Sequence, residues 1–363
     1  MIAQRLNAIA PFHAMALLAR ARELEAQGRS VVHMEIGEPD FATPQAVVDA
    51  GMDALKQGKT HYTAAVGLRE LREAIADYYL SQFQVKIDPR RVVVTPGASG
   101  ALQLILAMLV DPGSQVLMAD PGYPCNRNLV FLFEGEPVMV PVEAQQHYQL
   151  STELLQHYWS DRTSCVMVAS PSNPTGTVIS RDRLAALLQM VRDRGGQLIV
   201  DEIYHGLVFD EPYRSALHEG DDIFVVNSFS KYFGMTGWRL GWLVAPEAAV
   251  AEMEKLAQNL FISMSTMAQH AALAGFAPAT LAILEERRDI PKVLALQRKT
   301  QKTALTSSSQ IKCSIDFEAD IAHQQLSPGQ RPAAFASQKV SQNPALNIHR
   351  VGNGFKISGC RQL

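Results

Sequence analysis

The sequence predicts an α/β fold, with a mostly parallel sheet between helices, on three observations. Short apolar runs rich in β-branched residues recur from about residue 90 onward. Segments with one-face helical spacing lie between them, and loops containing proline or glycine follow several of the runs. Strands that are apolar almost without interruption are strands covered on both faces, which is the habit of a buried parallel sheet.

In chain order, an irregular arm precedes a helix near residues 13–27, which Gly28 stops. Residues 91–95 (RVVVT) form the first strand, and a Pro-Gly turn leads into an apolar helix over 101–109. Residues 115–119 and 137–142 read as the next strands, and 164–169 (SCVMVA) as another, closed by a Pro/Asn/Gly loop. Leu184, Leu187, Leu188 and Val191 share one helical face. Strand character returns at 197–203 (QLIVDEI), 223–227 and 240–245. Beyond about Thr300 the chain is rich in Gln, Ser, Ala and Pro. Only 311–317 alternates there as a candidate strand.

The 363 residues are 47% hydrophobic and 19% charged, which excludes a disordered or collagen-like chain and provides for one large or two medium domains. A formal charge of -3 gives no basic excess for general nucleic-acid binding. The four cysteines (Cys125, Cys165, Cys313 and Cys360) are scattered without a CxxC pair, so no metal site is expected and reduced thiols in a cytoplasm are the expectation. Arg5, His13, Arg20 and Arg22 interrupt the apolar residues of the N-terminus, and no run approaches a membrane span.

Four loops carry candidate chemistry. Lys231 follows the 223–227 strand within SFSK, among hydroxyls and glycines. A lysine amine whose surroundings favour its neutral form can condense with a carbonyl; a surface lysine is the plainer alternative. Asp201 ends the apolar run 198–200, where an acid is costly without a cationic partner. Such an acid can hold a protonated pyridine nitrogen, or it can cap a helix or pair at the surface. In SPSNPTG, residues 170–176, prolines and glycine set the backbone so that the Asn173 amide can be aimed at an oxygen; a plain turn is the other reading. Residues 96–101 (PGASGA) join a strand to a helix, where small residues and free N–H groups favour an anion. The same segment also suits a tight turn with no ligand.

Together with Gly37-Glu38-Pro39-Asp40-Phe41, Tyr62, Gly67-Leu68-x-Glu70-Leu71-Arg72 and Asp120-Pro121-x-Tyr123-Pro124, these loops occur in one order over roughly residues 5–295. In that order and spacing the chain resembles the class I/II aminotransferases, the fold-type-I enzymes that use pyridoxal 5'-phosphate. The resemblance implies an arm and part of a small domain over 1–45, a large cofactor-binding domain over 46–275, and the start of a small domain over 276–299. It implies that Lys231 condenses with the cofactor and moves the substrate α-proton. Asp201 would pair with the pyridine nitrogen, and Asn173 and Tyr204 would bond the phenolic oxygen. Tyr123 would stack on the ring. Ala98, Ser99, Ser228 and Arg239 would bind phosphate, with Tyr62 supplied by a second subunit of a homodimer. Gly37 and Asn173 would line the pocket for the amino-acid and 2-oxo-acid substrates.

Residues 300–363 depart from that pattern. The family's late arginine grips the substrate carboxylate through a bidentate pair. Here Arg331, Arg350 and Arg361 lack its context. A shifted reading frame near residues 290–300 or a divergent, disordered tail would each leave the small domain incomplete and impair activity. A carbon–sulfur lyase on the same cofactor and a non-catalytic cofactor-binding remnant are the rival expectations.

Overall fold

The computed structural model describes residues 2–209 and 213–290, with three short strands at 313–315, 347–351 and 354–360. Contacts divide the chain into two units, Met1–Asp289 and Ile290–Leu363.

In the first unit α1 (His13–Ala26), α2 (Gln45–Lys56) and α3 (Arg69–Phe83) precede β1 (Val92–Thr95) and α4 (Gly97–Leu109). Then come β2 (Gln115–Asp120), α5 (Pro124–Leu132), β3 (Glu136–Pro141), α6 (Thr152–Tyr158), β4 (Thr163–Ala169), α7 (Arg181–Asp193) and β5 (Gln197–Asp201). The series ends with β6 (Phe224–Ser228), β7 (Gly241–Val244), α8 (Val250–Leu260), α9 (Thr266–Leu273) and α10 (Pro278–Ile290).

Seven strands form one sheet in the order β1-β7-β6-β5-β4-β2-β3. Only β7 runs against its neighbours, β1 and β6; every other pairing is parallel. Alternate residues feed opposite faces, as the pleat requires. Val92 and Val94 enter one core with Leu117, and Val93 enters the other with Val116 and Met118. Two buried faces explain why the strands read as continuous apolar runs rather than alternating ones.

Because six strands point one way, their C-terminal ends share one edge of the sheet, where ligands of open α/β sheets bind. The loops after β1, β2, β4, β5 and β6 all open there, and they hold residues 96–101, 121–124, 170–176, 202–204 and 229–239.

Two boundaries differ from the sequence reading. The helix expected near Ala101 starts at Gly97. Gly97 takes φ +73°, a left-handed turn open to glycine, so strand becomes helix within two residues. The strand expected to reach Ile203 stops at Asp201, whose carboxylate accepts the Ile203 N–H at 3.0 Å and turns the chain off the sheet.

In the second unit, β8 (Cys313–Ile315), β10 (Gly354–Cys360) and β9 (Asn347–Val351) form an antiparallel sheet in that order. The single strand expected within 311–317 is therefore one of three. The β9–β10 pair was missed because its residues do not alternate cleanly in polarity. The rest of the 300–363 tail, Arg331 and Arg361 included, lies outside the described residues, and Arg350 is placed on β9 by its backbone alone. No single helix among the described residues is long and apolar enough to cross a membrane.

Candidate active site

The cavity at this edge has a volume of about 420 Å³. Lys231, Asp201, Asn173, Tyr204, Tyr123, Ala98, Ser99 and Gly37 all line it. Eight of the residues singled out in the sequence thus meet in one place, although they span nearly 200 positions.

Lys231 arrives three residues past the end of β6. The hydroxyl of Ser228 fixes that turn, accepting the Ser230 N–H at 3.0 Å and lying 3.2 Å from the Leu240 carbonyl. Lys231 Nζ donates to the Gly37 carbonyl at 2.6 Å and sits 5.8 Å above the Tyr204 ring. Burial lowers its pKa, with Arg239 acting in the same direction and Glu38 against it. The environment therefore moves the amine toward its nucleophilic, neutral form.

Asp201 is buried at the end of β5, and among the described residues it makes no ion pair. Burial pushes its carboxyl up to about 6, opposed by the Ile203 N–H and aided by the adjacent Glu202. A buried acid held high by desolvation is a site that a cation would bring down. Its neighbour Glu202 is fully buried. It accepts from Ser215 Oγ at 3.1 and 3.2 Å and from the Ala216 N–H at 2.6 Å. His205 Nδ1 lies 3.1 Å from Glu202 Oε2 but out of hydrogen-bonding alignment, stacked on Phe83 with ring centroids 3.9 Å apart. This buried cluster anchors the loop that carries Asp201 and Tyr204.

Asn173 Nδ2 donates to Tyr204 Oη at 3.0 Å, so both polar tips point at one spot in the cavity wall. Burial raises the Tyr204 hydroxyl, and Asp201 adds to that while Asn173 opposes it. The Asn173 loop is tied back by the Ser170 N–H to the Asp201 carbonyl at 3.0 Å, and by Tyr213 Oη, which donates to the Ser170 carbonyl. Tyr123 begins the turn into α5, with the Phe12 ring edge-on at 5.7 Å.

The end of the site suited to an anion is built on α4. Its first four N–H groups lack helical partners, and they belong to Gly97, Ala98, Ser99 and Gly100. The earlier helix start found here puts the whole PGASGA segment at the positive end of the helix dipole. Arg239, itself at φ 52°, brings Nη2 to within 2.8 Å of where a Cβ on Gly97 would stand. Gly241 lets the helix end sit on β7: a Cβ there would meet Gly97 C at 2.7 Å and Ala98 N at 2.9 Å.

Ser228 and Arg239 do not line this cavity: Ser228 is buried beneath the Lys231 turn and Arg239 is exposed beside Gly97. Tyr62 is not part of it either. It is 80% exposed and lines a separate concavity with His61 and His270. Sequence reasoning missed other lining residues: Phe12, Met15, Glu35 and Ile36 of the N-terminal arm, and Leu102, Pro124 and Ile203. Only the nearness of Glu35 and Ile36 to the Gly37 motif hinted at them. A larger concavity, about 810 Å³, shares Asn173 and Tyr204 but contains neither Lys231 nor Asp201, so the smaller cavity is the one that brings the lysine and the buried acid together. No cluster of metal-ligating side chains occurs among the described residues.

A cavity with a lysine, a buried acid lacking a cation and a helix N-terminus beside an arginine agrees with what known proteins show. The family described as aminotransferase class I and II matches residues 29–318. The chain belongs to that family. A transaminase of (5-formylfuran-3-yl)methyl phosphate from Methanocaldococcus jannaschii is 38% identical over 283 residues, 77% of this chain and 73% of its own length. The valine–pyruvate aminotransferase of Mycobacterium tuberculosis is 37% identical over 276 residues, 76% and 71% of the two chains. A crystal structure of an aminotransferase from Mycobacterium tuberculosis superposes with a TM-score of 0.78 at 35% identity, covering 83% of this chain and 79% of that one. This aminotransferase chain has the fold-type-I architecture, and enzymes of its family work through pyridoxal phosphate.

The residues present fit that cofactor. Asp201 could hold a protonated ring nitrogen, Asn173 and Tyr204 a phenolic oxygen, and the α4 N-terminus with Arg239 and Ser228 a phosphate.

Proposed function

We propose that this aminotransferase holds pyridoxal phosphate in the 420 Å³ cavity and uses it to move an amino group between an L-amino acid and a 2-oxo acid. When bound, the cofactor supplies an electron sink for the pair released as the substrate α C–H bond breaks. The chain supplies the rest. Lys231 would take the substrate α-proton and deliver it at C4′ of the bound cofactor, two bonds away across the shared nitrogen, a role suited to an amine whose pKa is lowered by burial. Asp201, ionised against the ring nitrogen, keeps that nitrogen protonated. Asn173 and Tyr204 orient the ring through its phenolic oxygen, and Tyr123 covers a ring face from water. Ala98, Ser99, Ser228 and Arg239 fix the phosphate and so the position of everything else.

The observation that carries this reading is Lys231 and Asp201 facing one cavity. Burial moves the Lys231 amine toward the neutral form the chemistry needs, and it leaves Asp201 as a buried acid that a ring cation would return to its ionised form. We further propose a cytoplasmic homodimer in which Tyr62 reaches the partner's cavity. The exposed tyrosine and the apolar, exposed Ile2, Leu6, Leu17 and Val32 of the arm support it. Substrate capture would be weak if the tail after residue 300 brings no carboxylate-binding arginine. The test is to load the purified protein with pyridoxal phosphate and follow the cofactor spectrum during titration with L-amino acids. Saturable conversion to the amino form, reversed by a 2-oxo acid, is expected. Release of ammonia with no dependence on oxo acid would assign a lyase instead.

A further inference from the structure

In the reading above the polar loops are committed to the cofactor, so substrate choice must come from other parts of the cavity. Resting on the aminotransferase reading above, we propose that the N-terminal arm makes this site select amino acids and 2-oxo acids with uncharged, apolar side chains and reject those carrying a second carboxylate.

The cavity lining has two chemistries. Asp201, Asn173, Tyr204, Lys231 and the α4 N-terminus are spoken for by the cofactor. What the arm adds is Phe12, Met15 and Ile36, three large apolar side chains, and one acid, Glu35. Leu102 and Pro124 extend the apolar surface. Phe12 is held in place edge-on to Tyr123. Burying a substrate's branched or aromatic side chain against such a surface is favourable in proportion to the area removed from water.

Among the described lining residues a distal carboxylate would find no partner. The one cation among the described lining residues is Lys231, and it is committed to the reacting carbon. Glu35 opposes a second negative charge and is not free to turn away. Its Oε1 lies 2.7 Å from His33 Nδ1, and its Oε2 accepts the Met34 N–H at 2.9 Å. His33 is in turn braced by Glu25 of α1, Nε2 to Oε1 at 2.9 Å. The hydrogen bond from His33 lowers the Glu35 pKa, so Glu35 stays ionised at neutral pH. A dicarboxylic substrate would bring its distal charge beside an acid whose one cationic neighbour, His33, is already shared between Glu35 and Glu25, an arrangement that disfavours a further negative charge.

The test uses ligands that cannot react, so binding is read apart from turnover. Full-length protein loaded with pyridoxal phosphate is titrated calorimetrically with 4-methylpentanoate and with glutarate, neither of which has an amino or oxo group. The expected result is at least tenfold tighter binding of 4-methylpentanoate. Met15 is half exposed on α1, so Met15→Arg should fold, and it should narrow or reverse that ratio by supplying a cation. Glu35→Gln should raise glutarate affinity severalfold and leave 4-methylpentanoate unchanged. Equal or tighter binding of glutarate, binding of neither ligand, or a ratio untouched by both variants would overturn the proposal. Turnover separates this failure from that of the underlying reading. Selective binding without conversion of L-leucine would keep the selectivity and sink the transaminase, and equal conversion of L-glutamate and L-leucine would do the reverse.

Discussion

The two sides of the cavity are built differently. On the strand-end side each residue is held by several independent bonds. Asp201 follows a fully paired strand, Asn173 is tied through Tyr204 and Ser170, and the Lys231 turn is locked through Ser228. On the arm side, residues 37–43 are fastened by Trp238 Nε1 to Thr43 Oγ1 at 3.1 Å, Thr43 Oγ1 to the Gly234 carbonyl at 2.8 Å, and the Lys231 bond to Gly37. Before residue 37 the anchors thin out. Arg5 donates to the Leu132 carbonyl at 3.3 Å and Asn128 to the Ala10 carbonyl at 3.2 Å, while Val32 and Met34 are more than 80% exposed. The groups proposed for the chemistry, which tolerates no misplacement, sit on the over-determined side, and those proposed for side-chain discrimination sit on the side with fewer anchors.

The contrast breaks first at Lys231. Lys231→Ala removes the group proposed as both nucleophile and proton carrier, and general acid–base assistance alone is worth about 10²–10⁴-fold. Turnover should fall by at least about 10³-fold, and borohydride should no longer fix the cofactor to the chain. Phosphate-end contacts should keep the variant able to bind the cofactor reversibly. A borohydride-stable label on another lysine would remove Lys231 from the centre of the site.

Asp201→Asn comes next, with a loss of about 10²–10³-fold in turnover against a much smaller loss in cofactor affinity. It also has a signature in the cofactor-free protein. The Asp201 carboxyl is pushed up to about 6 in the folded chain, against about 3.9 when unfolded. Between those values the folded state binds more protons, so Asp201's contribution to stability falls as pH rises from about 4 to about 6 and stays low above that. Two units correspond to about 3 kcal/mol. Urea unfolding at pH 4.5 and pH 7 should show Asp201→Asn gaining stability relative to the parent at the higher pH. Parallel behaviour of the two proteins would mean that Asp201 is not buried unpaired.

How much of this was legible in the sequence follows from what each residue type can signal. Lys231, Asp201 and Asn173 stood out because each is a polar residue at the end of an apolar strand, where its cost demands a reason. The sheet was legible because two-face burial writes itself as continuous Val and Ile. Phe12, Met15 and Ile36 were not, since an apolar residue on an irregular arm or on the exposed α1 looks the same whether it lines a cavity or a neighbour. Glu35 was hidden for a related reason: its bonds run to His33 and its own backbone, a pairing set by how the arm folds. The helix start at Gly97 was misread because Ser-Gly sequences resemble a loop until φ at Gly97 is known. The β9–β10 pair was hard to find because the alternation of Phe355, Lys356, Ile357 and Ser358 lasts only four residues and its partner strand, NIHRV, does not alternate.

Gly241→Ala tests the positive end of α4 at a smaller scale. The new methyl would stand 2.7 Å from Gly97 C, and since that neighbour is backbone, the helix end must shift. Overpacking of this kind costs about 1–3 kcal/mol. The shift should appear as a lower denaturation midpoint and as about tenfold weaker cofactor binding, with pyridoxal lacking its phosphate affected much less. Equal weakening of both ligands would mean that the helix N-terminus does not hold the phosphate.

The smallest effect is expected at Asn173. Its amide donates to Tyr204 Oη at 3.0 Å in a half-buried setting, and the net worth of one such bond is about 0.5–1.5 kcal/mol. Asn173→Ala removes that bond and, when cofactor is bound, one donor to the phenolic oxygen, while Tyr204 keeps its own hydroxyl to offer. Cofactor affinity should therefore fall by about three- to tenfold. Asn173 also opposes the rise in the Tyr204 pKa, so its removal should move Tyr204 ionisation higher still, readable by ultraviolet titration of the variant against its parent. A Tyr204→Phe, Asn173→Ala pair should lose less than the sum of the two single losses, because each single change already breaks the bond the other would break. Strict additivity would show that the two side chains contact the cofactor independently, and that their shared hydrogen bond positions neither.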